Sequence, residues 1–185
     1  MEISKTAIEG LLIIKPDVFS DERGYFYESF SSRKFQENNI ETNFVQDNIS
    51  RSYKGTVRGL HYQVGDKAQG KLSHVLYGKV LDVAVDLRLN SSTFGKYFSA
   101  ELSEENHLQL WIPVGFAHGF SVLSDMAIFQ YKCTNFYNKE KERAILFSDP
   151  MLNINWKVDN PIVSSKDLQA KPFQESEKEM FFFSV

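Results

Sequence analysis

The sequence predicts an all-β fold, a sandwich or barrel of short strands for which the jelly roll is the double-sheet solution. Three observations support this. Sixteen Phe and eight Tyr among 185 residues favour a pleated surface over a helix bundle. The stretch 79–88 alternates strictly, with Leu81, Val83, Val85 and Leu87 pointing one way and Asp82, Ala84, Asp86 and Arg88 the other. Short apolar runs then recur along the chain between polar or glycine-bearing breaks such as Asp21-Glu22-Arg23-Gly24 and Ser103-Glu104-Glu105-Asn106.

Taken in order, strands are expected over residues 11–14, 25–30, 44–50 and 56–63. Lys71–Tyr77 follows, and Gly78-Lys79 forms a turn into 79–88, so these two segments are expected to pair as a hairpin. Further strands are expected over 97–102, 108–112, 120–123 and 127–133. Helix is scarce. Ser32 starts a short one through Gln36 and Asn38, and Ser164 or Ser165 starts another containing Asp167, because a hydroxyl can cap the first free backbone N–H groups. The tail, 170–185, ends in Met180-Phe181-Phe182-Phe183, four apolar residues that need cover from a partner subunit or from their own barrel. No repeat or linker interrupts the chain, so 1–185 reads as one domain.

Composition removes several function classes. A net charge of −3 argues against general electrostatic binding of nucleic acid. One cysteine, Cys133, permits no disulfide within the chain and suits a reducing cytoplasm. The first residues do not read as a signal peptide, and no run has the length to span a membrane. There is no Gly-x-Ser-x-Gly elbow, phosphate-cradling glycine loop or dinucleotide fingerprint. Phosphates would be held by side chains, with Arg23, Arg58, Lys71 and Lys166 available.

The chemistry centres on His61, in Val57-Arg58-Gly59-Leu60-His61-Tyr62-Gln63. Arg58 or Gln63 shares its strand face, depending on register, and Lys71 is expected on the next strand within reach across the sheet. Such a group suits removal of an acidic carbon-bound proton from an anionic substrate. Asp167 is a candidate to fix the imidazole tautomer and raise its basicity. A metal site needs three or more converging ligands, commonly with two His at alternate strand positions. The alternate position after His61 is Gln63, and His74, His107 and His118 are isolated in sequence. A metal-dependent jelly-roll enzyme and a sugar-binding jelly roll without catalysis remain as rivals.

Seven segments, in order, carry a resemblance. They are Phe19-Ser20-Asp21-Glu22-Arg23-Gly24-Tyr25-Phe26, Phe44-Val45-Gln46-Asp47-Asn48-Ile49-Ser50, the His61 strand and Asp82-Val83-Ala84-Val85-Asp86-Leu87-Arg88. Ile112-Pro113-Val114-Gly115-Phe116-Ala117-His118-Gly119-Phe120, Tyr131-Lys132-Cys133-Thr134 and Ser164-Ser165-Lys166-Asp167 complete the set. Over residues 15–167 the chain resembles the dTDP-4-dehydrorhamnose 3,5-epimerase family. The resemblance implies a cupin-type jelly roll acting as a homodimer, with no cofactor and no metal. It implies a dTDP-linked sugar whose ketone at carbon 4 acidifies the hydrogens on carbons 3 and 5.

By the same resemblance His61 is the base, Asp167 its orienting partner, Lys71 the cation facing the enolate oxygen and Tyr131 the proton donor from the other side. A phenol suits that task because its ordinary pKa of about 10 lies between imidazole and the carbon acid. Arg23, Arg58 and Lys166 are implied near the diphosphate, and Glu28, Gln46, Asp47 and Asn48 at the nucleoside end. Phe26 would stack on the base, while His118, Tyr137 and Glu142 would line the sugar site. Arg23 and Glu28 are expected to reach across from the second subunit. The chain departs from the family pattern at Val64-Gly65-Asp66-Lys67, Val114, Tyr77 and Lys157. None of these touches the proposed base, acid or lysine.

Overall fold

Alternating side chains build two antiparallel sheets that face one another in the computed structural model, which describes residues 1–40, 43–176 and 181. The strands are β1 (Glu2–Lys5), β2 (Leu12–Lys15), β3 (Val18–Asp21), β4 (Gly24–Tyr27), β5 (Gln46–Tyr53), β6 (Val57–Gln63), β7 (Lys71–Tyr77), β8 (Lys79–Asp86), β9 (Tyr97–Ser103), β10 (Gln109–Ile112), β11 (Phe116–Val122), β12 (Met126–Cys133) and β13 (Glu142–Ala144). Among the described residues, three short α-helices, α1 (Ser32–Glu37), α2 (Ser165–Leu168) and α3 (Phe173–Ser176), and one 3-10 turn at Gly65–Lys67 complete the set. One sheet has the order β1-β2-β10-β7-β12-β5, the other β13-β6-β11-β8-β9, and β3–β4 form a separate hairpin. This is the expected jelly-roll class.

Val75, Leu110 and Phe129 from the first sheet meet Val80, Ala84 and Phe120 from the second in the core between them. Full burial of a side chain such as Phe129 contributes roughly 2 kcal/mol or more. The outer face of the five-stranded sheet is covered as well, since Leu60, Leu81, Val83 and Val85 pack under Ile145, Leu152 and Trp156. Both faces of β8 are therefore buried, and its alternation separates two cores rather than core from solvent.

The expected hairpin of Lys71–Tyr77 with 79–88 does not form. β7 pairs with β10 and β12, while β8 pairs with β9 and β11 in the opposite sheet. The connecting Gly78 has φ of +77°, and a Cβ there would lie 2.1 Å from the Met126 carbonyl oxygen. It turns the chain from one sheet to the other, so that Val75 and Val80 approach the same core from opposite sides. The two segments are adjacent in sequence but belong to different sheets.

Other differences are smaller. β1, β3, β13 and α3 were not expected, and β11 begins at Phe116 rather than residue 120. Of the apolar tail, Met180, Phe182 and Phe183 lie outside the described residues. Phe181 packs back on its own chain: its N–H donates to the Leu87 carbonyl at 3.2 Å, and its carbonyl accepts from Leu89 N–H at 2.7 Å. Among the described residues no helix is long and apolar enough to cross a membrane.

An irregularity in β6 prepares the site. His118 of β11 is opposite His61 and Phe120 is opposite Arg58, so two steps on β11 correspond to three on β6. The extra residue is a β-bulge, which re-aims the side chains around it. Strict alternation would put Arg58 and His61 on opposite faces. The bulge turns both into the same cavity.

Gly59 makes this possible: its φ is +121°, and a Cβ would lie 2.6 Å from the Gly119 Cα. Gly59→Ala is expected to lower stability by about 2 kcal/mol or more through overpacking and backbone strain. It should also lower activity by displacing His61. A urea unfolding midpoint equal to that of the unmodified protein would contradict this account.

Candidate active site

Both sheets line a cavity of about 580 Å³. From the six-stranded sheet come Gln46, Asn48 and Ser50 on β5, Lys71 on β7 and Tyr131 on β12. The five-stranded sheet supplies Arg58, His61 and Gln63 on β6, His118 on β11 and Glu142 on β13, and Tyr137, Lys166 and Asp167 close the rim. Lys71 thus lies across the sandwich from His61 and not across one sheet, because β6 and β7 belong to opposite sheets. Its ammonium still reaches over, with Nζ 3.4 Å from the His61 carbonyl oxygen.

His61 Nε2 is 2.7 Å from Asp167 Oδ1. With Nε2–H donating to that carboxylate, the lone pair is on Nδ1, and the carboxylate stabilises positive charge on the ring. Asp167 is brought there by α2, whose start is capped by the Ser164 hydroxyl accepting from the Asp167 N–H at 3.1 Å. Its second oxygen accepts from the Gly59 N–H at 3.3 Å. Burial pushes the Asp167 carboxyl up, but the hydrogen bonds from His61 and Gly59 outweigh it and hold the group below the usual carboxylate range. It is ionised at neutral pH.

Across the cavity, burial pushes the Tyr131 phenol up to about 12, so its proton stays on the oxygen throughout the neutral range. Lys71 Nζ lies 5.5 Å from the centre of that ring. Burial also pushes the Lys71 ammonium down, opposed chiefly by Cys133 and Asp82. Negative charge developing beside it would favour the protonated form.

His118 belongs to a second, fully buried arrangement. Its Nε2 is 2.7 Å from Asp82 Oδ1, and Ser73 Oγ donates to Asp82 Oδ2 at 2.5 Å, tying β11, β8 and β7 together. Burial pushes the His118 pKa down, and its ring meets Tyr131 edge-on with centroids 5.9 Å apart. Sequence reasoning missed Asp82 and Ser73. The available signal was a carboxylate inside the otherwise apolar run Val80–Val85.

On the rim, the Tyr137 hydroxyl donates to Glu142 Oε2 at 3.0 Å and Lys166 Nζ is 2.6 Å from the same oxygen. Burial pushes the Glu142 carboxyl up, but these two partners outweigh it and keep it ionised. Arg58 Nε donates to Ser52 Oγ at 3.0 Å.

Eleven of the fifteen expected site residues line this cavity: His61, Tyr131, Lys71, Asp167, Gln46, Asn48, Arg58, His118, Tyr137, Glu142 and Lys166. The other four point elsewhere. Strand alternation turns Asp47 to the outer face of β5, where its carboxylate lies 2.8 Å from Lys132 Nζ. Arg23 and Phe26 project from the β3–β4 hairpin into solvent, with Arg23 paired to Asp21. Glu28 pairs with Lys34 at 3.0 Å. None of these three lines the cavity in this chain.

The family model for dTDP-4-dehydrorhamnose 3,5-epimerase matches residues 5–175. The chain belongs to this family. It is 53% identical to the dTDP-4-dehydrorhamnose 3,5-epimerase of Shigella flexneri, covering 96% of this chain and 98% of that one. A crystal structure of the same enzyme from Elizabethkingia anophelis superposes with a TM-score of 0.91 at 53% identity, covering 96% of this chain and 98% of that one. The dTDP-6-deoxy-D-glucose-3,5-epimerase of Legionella pneumophila, solved in complex with dTDP-4-keto-L-rhamnose, gives a TM-score of 0.95 at 49% identity and covers 100% of this chain and 99% of that one. For this member of the epimerase family, the cavity brings an imidazole hydrogen-bonded to a carboxylate on one side opposite a phenol and an ammonium on the other.

Proposed function

We propose that the chain is an isomerase that inverts carbons 3 and 5 of dTDP-4-dehydro-6-deoxy-D-glucose to give dTDP-4-dehydro-L-rhamnose, on the way to dTDP-L-rhamnose. His61 Nδ1 takes the proton from the carbon next to the ketone, and the bonding electrons move to the ketone oxygen as an enolate. Lys71 stabilises that oxyanion, to which a fixed cation in a water-poor site contributes on the order of 3 kcal/mol. The Tyr131 hydroxyl then protonates the carbon from the opposite face, and exchange with solvent restores both groups. One observation carries the reading: His61 with Asp167 and Tyr131 with Lys71 line a single cavity from opposite sheets, as two-faced proton exchange requires.

No cofactor or metal enters this scheme. Gln63 stands where a second strand ligand would, and its amide is committed to backbone groups. Arg58 and Lys166 serve the diphosphate, and Gln46 and Asn48 the nucleoside end. Arg23, Phe26 and Glu28 serve the site of a second copy in a homodimer. That role is supported by a hairpin carrying Phe19 and Phe26 at 67% and 70% exposure, where they would otherwise be an apolar liability. The lone buried Cys133 suits the cytoplasm.

Reaction in deuterium oxide tests the proposal. Solvent deuterium is expected at both carbon 3 and carbon 5 of the product. Label at only one carbon would make the chain a single-site epimerase, and none at all would leave a binding protein.

A further inference from the structure

Two glutamines suspend the rim of the cavity between the sheets. The chain leaves β12 at Cys133 and returns in β13 at Glu142. On the way, the Tyr137 N–H donates to Gln46 Oε1 of the six-stranded sheet at 2.8 Å, and the next N–H, that of Asn138, donates to Gln63 Oε1 of the five-stranded sheet at 2.6 Å. Gln63 Nε2 donates to the Lys67 and Phe136 carbonyls at 2.6 and 3.1 Å. Both its donor hydrogens and an acceptor site are therefore taken by backbone, in a side chain only 3% exposed. The segment so held carries Tyr137, whose hydroxyl meets Glu142 above the His61 side of the cavity.

We propose that Gln63, braced opposite Gln46, is a positioning residue that holds the Tyr137 rim closed over the sugar between its two proton exchanges. The inference rests on the 3,5-epimerase reading. Inverting two carbons requires two deprotonations, and a sugar changed at one carbon must stay bound, or rebind, before the second. A rim pinned to both sheets favours retention. An apolar side chain at 63 would leave the 65–67 turn and the 136–138 segment without their buried partners. Both would lose their fixed position.

The test compares Gln63→Leu with the unmodified enzyme in deuterium oxide, collecting released sugar before equilibrium. Gln63→Leu has similar bulk and no polar atoms. A folded variant is expected to raise KM about tenfold, to change kcat less, and to release several-fold more sugar labelled at one carbon only. Should Gln63→Leu fail to fold, Gln63→Glu keeps an acceptor for Asn138 but sets a carboxylate against two carbonyls, and is expected to shift the same ratio in the same direction. An unchanged ratio in a folded variant overturns the proposal, even where kcat falls, because a merely structural role would lower activity without altering commitment. Label at one carbon in the unmodified enzyme overturns the epimerase reading itself, and the brace with it.

Discussion

His61→Ala is expected to abolish deuterium uptake at both carbons while leaving a folded protein. A positioned general base contributes typically 10²–10⁴-fold, so a loss of about 10³-fold, near 4 kcal/mol of barrier, is the expected scale. Stability should change far less, because the His61 side chain is 33% exposed and fills no core position. The variant does remove one hydrogen bond from the buried Asp167, but its carboxylate keeps the Gly59 N–H. A melting temperature lowered by a few degrees, with no exchange at either carbon, separates loss of the base from loss of the fold. Exchange near the unmodified rate would end the assignment of His61 as base.

The same residue shows how far the sequence carries. Its strand was legible because Val57–Gln63 is apolar and aromatic around one polar face. Its partner was named through the family resemblance and not from any local pattern, since Asp167 is 106 positions away. The capped start of α2 agrees with Asp167 being held in place. The bulge that brings Arg58 beside His61 was also hidden, because it depends on Gly59 meeting Gly119 of another strand.

β8 could be read from alternation alone, yet its neighbours could not. Pairing of Lys71–Tyr77 with it was the short-range choice, and the core overruled it by requiring Val75 and Val80 on opposite walls. β1, β3 and β13 are three or four residues long, too short for periodicity, and are strands because neighbours pair with them. Asp47 was grouped with Gln46 and Asn48 as a motif, although alternation alone separates it from them. Gln63 was read for what it is not, a metal ligand, and its brace between two loops appears only in three dimensions.

Tyr131→Phe should give a different result from His61→Ala, and the contrast tests the two-faced mechanism more sharply than either alone. Burial pushes the phenol up to about 12, so in the unmodified enzyme the acid is fully loaded across the neutral range. No alkaline fall in rate from Tyr131 is expected until the pH approaches that value. Removing the hydroxyl leaves His61, Asp167 and Lys71 in place, so the carbon-bound proton can still leave and the enolate can still form. With no acid opposite, the only return path is from protonated His61, on the face the proton left. The substrate should therefore gain deuterium with its configuration retained, while inversion falls by about 10²–10⁴-fold. The ring remains, keeping its contacts with His118 and Phe129, so stability should hold. Inversion at the unmodified rate would show that the second proton comes from another group. Equal loss of exchange and inversion would mean that Tyr131 acts before the enolate forms.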